Sequence, residues 1–226
     1  MIPKPGYENA LEAPLRSILK LREHIIGAKL DDELFTLLQT PENRDALKVL
    51  LIKTYFSEAK QSLLLQQSQI NLDAYRYSVQ LIEETRKGNK VISTNIDEPV
   101  RNQGFRRAIV EAYEHRCAFC GVRVITPHNH TAIEAAHIIP WSETHNDEVG
   151  NGLALCKLCH WTFDAGLVGI SSKYKIEISK YLDDGENIAG HLGTFNKRDL
   201  IIPEDEKLHP QVEYIEWHHK NIFNQF

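Results

Sequence analysis

Two knuckles, Cys117-Ala-Phe-Cys120 and Cys156-Lys-Leu-Cys159, enclose 35 residues that include Ala132-Ile-Glu-Ala-Ala-His-Ile-Ile-Pro140 and Asn151-Gly-Leu-Ala-Leu155, and His160 follows the second knuckle directly. These are all 4 cysteines of the chain, so one tetrahedral site uses every thiol and ties the two ends of the segment together. Four ligands of this softness select zinc, and a closed shell of four sulfurs leaves no open position for catalysis. The expected metal at Cys117, Cys120, Cys156 and Cys159 is therefore a structural zinc. Gly121, next after the first pair, suits a turn that aims backbone N–H groups at the sulfurs. Iron in a rubredoxin-like site and two disulfides in a secreted protein are the competing readings of the same thiols.

Inside the knuckles the pattern reads as strand, loop, strand and helix. The first strand ends at His137, and a polar loop from Trp141 to Gly150 carries neither period. A second strand starts at Gly152, and a short helix runs from about Lys157 to Ala165. On that helix His160 and Asp164 are four apart, so both project from one face and can share a hard or borderline cation. Taken singly, each piece has an ordinary structural explanation. A histidine at a strand end is commonly a hydrogen-bonded structural residue. Asn-Gly is a common turn, and a His–Asp pair in helical register is usually a surface pair. It is their joint spacing from two metal-binding knuckles that points to chemistry.

Working outward, a helix from about Asn102 to His115 places Phe105, Ile109, Ala112 and Tyr113 on its inner face, turns Arg106 and Arg107 outward and delivers the chain to Cys117. Residues 88–100 lose the helical period and read as a connector with one short strand. The first 90 or so residues read as three or four helices packed as a small bundle. Leu11, Leu15, Ile18, Leu19, Ile25 and Ile26 keep helical spacing up to Gly27, and Thr40 before Pro41 opens a long helix running to Leu63. Asn71 or Asp73 caps a further helix that ends at Lys87-Gly88-Asn89. Downstream, Tyr174 to Ser179 alternates as a strand, and Gln211 to Phe226 reads as a closing helix.

The chain has 226 residues, 42% hydrophobic and 25% charged, which suits a globular protein with one larger domain and a smaller attached one. The N-terminal Met-Ile-Pro-Lys-Pro-Gly lacks the apolar core of a signal peptide, and no apolar run approaches a membrane span. The expected location is the cytoplasm, where reduced thiols bind metal. Net charge is −5: residues 1–96 carry 13 basic and 12 acidic side chains, a net of +1, and residues 97–226 carry 13 and 19, a net of −6. Bulk cationic attraction to nucleic acid is thereby excluded, so any DNA contact has to be local. His128, His130, His145 and His191 fall in polar loops without a role, and His218 and His219 read as packing or surface residues.

The stretch from Phe105 to Gly169 resembles the HNH endonucleases of the ββα-metal (His-Me finger) superfamily, in particular a restriction-type group. The matching text is Arg106-Arg-Ala-Ile-Val-Glu-Ala-Tyr113, Glu134-Ala-Ala-His-Ile-Ile-Pro-Trp141, Asn151-Gly-Leu-Ala-Leu-Cys156 and Cys159-His-Trp-Thr-Phe-Asp-Ala-Gly-Leu167. With the helical reading of the N-terminal part, the expected chain is α+β: a helical domain over residues 1–95, a candidate for specificity or dimerisation, followed by what the resemblance implies, a zinc-stabilised HNH nuclease domain over residues 96–226 with C-terminal strands and helix. It implies a metal-dependent DNA endonuclease that hydrolyses phosphodiesters in restriction or defence. His137 takes the place of the general base, and an imidazole, which titrates near neutral pH, suits that task. Asn151 takes the middle position, whose amide holds the loop. His160 and Asp164 take the places of ligands to a catalytic Mg²⁺, Mn²⁺ or Ni²⁺. Many relatives carry a further ligand just before the base, where this chain has Ala136; Glu134, two residues earlier on the same strand face, is its candidate replacement. Arg106, Arg107, Arg116, Arg123 and Lys157 are the candidate DNA contacts. A homodimer is a candidate assembly, because one such site cuts one strand. A catalytically decayed zinc module that binds DNA or protein is the alternative function, and an interaction protein working through its N-terminal helices is a third.

Overall fold

The computed structural model describes residues 2–11, 18–126, 130–183 and 192–225. The first part of the expected N-terminal helix, including Leu15, and the loop histidines His128 and His191 lie outside the described residues. The chain divides into two compact units, Met1–Gln66 and Gln67–Phe226. That boundary lies earlier than residue 95, within a single long helix.

In the first unit, β1 (Ile2–Pro3) pairs antiparallel with β2 (Ile25–Gly27), which follows directly on α1 (Ile18–His24). The helix expected to reach Ile26 thus turns extended at Ile25. A short α2 (Asp32–Leu37) starts where the Asp31 carboxylate accepts from the backbone N–H groups of Glu33 (2.9 Å) and Leu34 (3.2 Å), satisfying two of the free donors of a helix start. Next comes α3 (Pro41–Tyr55), with proline in its first turn after Thr40 as expected. It stops at Phe56, whose backbone is extended, and does not continue to Leu63. The apolar side chains of α3 are mostly solvent-exposed: Leu50, Leu51 and Tyr55 are all more than half exposed, and Ile52 alone among its residues is buried.

A 29-residue α4 (Glu58–Arg86) crosses the unit boundary without interruption, so neither Asn71 nor Asp73 caps a new helix. In its second half Ala74, Tyr77, Ser78, Leu81 and Thr85 are buried, the three-and-four spacing of a stripe facing a core. It ends as expected at Gly88, with the Asn89 N–H donating to the Glu84 carbonyl at 3.0 Å. The following α5 (Glu98–Ala112) lies tight against it at Gly104. A methyl group there would sit 2.7 Å from the Tyr77 ring and 2.9 Å from the Ala74 carbonyl, so only glycine lets the two helices approach this closely.

Against α5 packs the hairpin of β3 (Ile133–His137) and β4 (Gly152–Cys156), paired from Ile133↔Cys156 to His137↔Gly152. Its connection contains a single helical turn, α6 (Trp141–Thr144), and a 3-10 turn at Val149–Asn151. Four residues are too few to display a period, which is why this loop read as aperiodic. The connector before α5 pairs with it through the Ile92↔Asn146 bridge. After the hairpin come α7 (Lys157–Asp164), an antiparallel pair β5 (Val168–Ile170) and β6 (Ile176–Ile178), and α8 (Val212–Asn221). The sequence pattern missed β5, whose three residues are centred on Gly169. Phe105, Ile109, Phe119, Ile133, Leu153, Leu155, Phe163 and Ile215 form the centre of one apolar core. Among the described residues no helix is long and apolar enough to cross a membrane.

Candidate active site and thiolate centre

The helix α5 runs out at Tyr113, and the chain turns through Cys117 and Cys120. The Ala118 N–H donates to the Ala154 carbonyl at 2.7 Å, fastening this first knuckle to β4. Cys156 closes β4, and Cys159 lies in the first turn of α7, so strand pairing carries the second knuckle to the first. All four ligand sulfurs lie within 4.8 Å of one another, and Cys120 Sγ is 3.8 Å from Cys156 Sγ. Four sulfurs at the usual zinc distance of about 2.3 Å stand about 3.8 Å apart, so the residues fit a tetrahedral zinc. Gly121 has φ 74°. Backbone N–H groups of Cys120, Val122 and Cys159 are directed at the sulfurs of Cys117, Cys120 and Cys156, the arrangement expected of a metal knuckle. As bare thiols the four are in conflict: contact with the Cys117 sulfur holds the Cys156 thiol well below its ordinary value and pushes that of Cys159 well above. A divalent cation replaces the shared protons and removes that conflict.

Above this centre a cavity of about 350 Å³ opens between α5, β3, α6 and α7. His137, Glu134 and His160 line it together with Arg101, Arg106 and Trp141. His137 is at the last position of β3, its ring stacked on Phe105 at 3.9 Å between centroids and 6° between planes. Its Nε2 lies 2.8 Å from Oδ1 of Asp147, a carboxylate with no exposed side-chain surface. Oδ2 of the same carboxylate accepts from the Tyr77 hydroxyl at 2.9 Å. Arg101, at 3.5 Å, adds positive charge more than a well-formed hydrogen bond. Burial, and next the Asp147 charge, push the Tyr77 hydroxyl well above its ordinary value, so it remains a donor.

Asn151 is fully buried at the start of β4. Its carboxamide donates to the carbonyls of Asn146 (3.0 Å) and Ile139 (3.1 Å), and its Oδ1 accepts from the Ile139 N–H at 2.9 Å. One side chain thus holds both ends of the connection between His137 and the second strand. On α7, His160 is set between two carboxylates: Nδ1 is 3.1 Å from Glu134 Oε2, and Nε2 is 3.3 Å from Asp164 Oδ2. Ala136 is buried and does not line the cavity, whereas Glu134 does. Among the described residues only the four cysteines gather three or more ligand atoms within 4.8 Å, so His160, Asp164 and Glu134 are neighbours without forming a closed cage. Glu134 and Asp164 face different ring nitrogens, so a cation at His160 can share that imidazole with one of the two carboxylates, the remaining positions being left to water.

The candidate DNA contacts separate into groups. Arg106 lines the cavity while donating to the Ile133 carbonyl at 2.7 Å, and exposed Lys157 lies 3.8 Å from Glu134. Arg107 pairs with Glu111 one turn on, and Arg116 and Arg123 brace the first knuckle through the carbonyls of Gly121 and Glu114. His218, read as a packing residue, stacks on Phe163 at 3.8 Å, and burial lowers its imidazole to about 4. Sequence reasoning missed Asp147, Tyr77 and Arg101. The acid pair Asp147-Glu148, in a loop that also carries Glu143, was the one available signal.

An antiparallel hairpin and a following helix, with a histidine at the strand end, another on the helix and a four-cysteine centre at their junction, define a ββα-metal module. Residues 117–171 match the HNH endonuclease family model. Among solved structures, the modification-dependent TagI restriction endonuclease is similar at 23% identity, with a TM-score of 0.40 over 56% of this chain and 40% of that one. The chain thus spans less than half the length of that enzyme. No curated protein matches.

Proposed function

We propose that the protein is a divalent-metal-dependent DNA endonuclease of the restriction or defence type, leaving 5′-phosphate and 3′-hydroxyl ends. The observation that carries this reading is that His137, His160 and Glu134 open onto one cavity of the HNH segment. His137 acts as general base: with Nε2 engaged by Asp147, Nδ1 is the nitrogen left to take a proton from the attacking water. Asn151 keeps the base in line by clamping the connection behind it. His160 would hold Mg²⁺, Mn²⁺ or Ni²⁺ either through Nε2 with Asp164 or through Nδ1 with Glu134, the latter in place of the ligand absent at Ala136. When bound, that cation supplies Lewis acidity toward a phosphate oxygen and offsets charge on the leaving 3′ oxygen. Arg106 and Lys157 at the cavity meet the DNA backbone, and a homodimer supplies the second site that cutting both strands requires.

The test is nicking of supercoiled plasmid in Mg²⁺, Mn²⁺ or Ni²⁺ by wild type and His137→Ala. The expected loss on substitution is at least about 10²-fold. Cleavage that survives would remove His137 from the mechanism. One observation favours a second reading, a decayed zinc module that binds DNA or protein: the open ligand set beside Ala136. DNA binding without cleavage in any of the three metals would select it.

A further inference from the structure

We infer that Asp147, held in place by Tyr77, is a positioning residue that fixes which nitrogen of His137 carries the proton, and that helices outside the matched HNH segment therefore complete the site. This rests on the reading of His137 as general base. An ionised carboxylate only accepts hydrogen bonds, so an imidazole 2.8 Å away must present Nε2–H to it, and its basic lone pair is then on Nδ1. Asp147 itself has no freedom to turn. Its side chain is wholly buried, Oδ2 accepts from Tyr77 on α4, and its backbone N–H donates to the Val91 carbonyl at 3.0 Å. The Phe105 ring on α5, parallel to the imidazole, removes the remaining rotation. Three elements preceding residue 117, namely α4, the connector and α5, thus converge on one imidazole. Asp147 also stabilises the imidazolium that forms when Nδ1 takes a proton from water, and the proton leaves later from Nδ1.

The experiment pairs plasmid cleavage kinetics with ¹⁵N NMR of the histidine rings, on the zinc-loaded full chain, for wild type, Asp147→Asn, Tyr77→Phe and His137→Ala. Comparison with His137→Ala assigns the His137 ring resonances. In wild type, Nε2 is protonated and Nδ1 is not. Asp147→Asn keeps the shape but offers an amide donor, and kcat is expected to fall by about 10²- to 10⁴-fold with KM within a few-fold and the tautomer altered. Tyr77→Phe is expected to lower kcat by about tenfold, leaving zinc content unchanged. A wild-type His137 protonated on Nδ1 would overturn the inference whatever the cleavage rates of the variants. So would an Asp147→Asn protein with wild-type kcat beside an inactive His137→Ala. If His137→Ala still cleaves, the general-base reading fails, whereas the NMR result continues to decide the Asp147 contact on its own.

Discussion

Asn151 is the residue whose removal separates architecture from chemistry. Its carboxamide makes three buried hydrogen bonds, and truncation to alanine leaves the Ile139 N–H and the carbonyls of Ile139 and Asn146 without those partners. At about 1 kcal/mol for each lost bond, Asn151→Ala is expected to lose about 3 kcal/mol, read as a lowered denaturation midpoint with an unchanged slope. A loss below about 1 kcal/mol would mean that the loop keeps its course without the clamp. The residue pattern displayed Asn151, His137, His160 and the cysteines because their spacing along the chain is itself the motif. Asp147 was invisible by the same logic: an aspartate in a polar loop reads as solvated, and its burial depends on Tyr77, 70 residues away.

At the scale of elements, the hairpin β3–β4 and helix α7 were legible because each stretch is flanked by a knuckle or a turn and carries its own period. The thiolate centre binds these elements to α5, and it does so with four side chains whose charges oppose one another without a cation. A strong chelator is therefore expected to do more than inactivate. Zinc stripped from the protein should carry a large drop in thermal stability and loss of near-UV signal from the Trp141 and Trp161 environments, restored by stoichiometric zinc. Retention of the wild-type melting temperature by a protein shown to be metal-free would refute a structural role. Elements without a local signal were misjudged. The unbroken passage through Asn71 and Asp73 follows from packing: the buried stripe from Ala74 to Thr85 continues α4.

For the molecule as a whole, charge decides how DNA would be held under the proposed function. With a net charge of −5 and most candidate cations engaged by carboxylates or carbonyls, few phosphates can be neutralised at once. The logarithm of DNA affinity against that of salt concentration is expected to fall with a slope no steeper than about −4, measured with the catalytic metal replaced by Ca²⁺. A steeper slope would place a basic surface where none has been identified. The boundary at Gln66 belongs to this scale too: loss of the helical period marked residues 88–100 as a connector, whereas the second half of α4 is built into the core of the larger unit.

What the linear chain determined was the local chemistry: the four thiols, the histidine at a strand end, the asparagine that opens the next strand, and the histidine one residue past the last cysteine. These follow from fixed short spacings, which turn directly into shared faces and joined ends. Only the tertiary structure decided that Asp147 and Tyr77 meet behind His137, that Glu134 rather than Ala136 faces the cavity, and that the second half of α4 belongs to the larger unit. Contacts between residues tens of positions apart are set by packing, because burial depends on what surrounds a side chain and not on its neighbours in sequence.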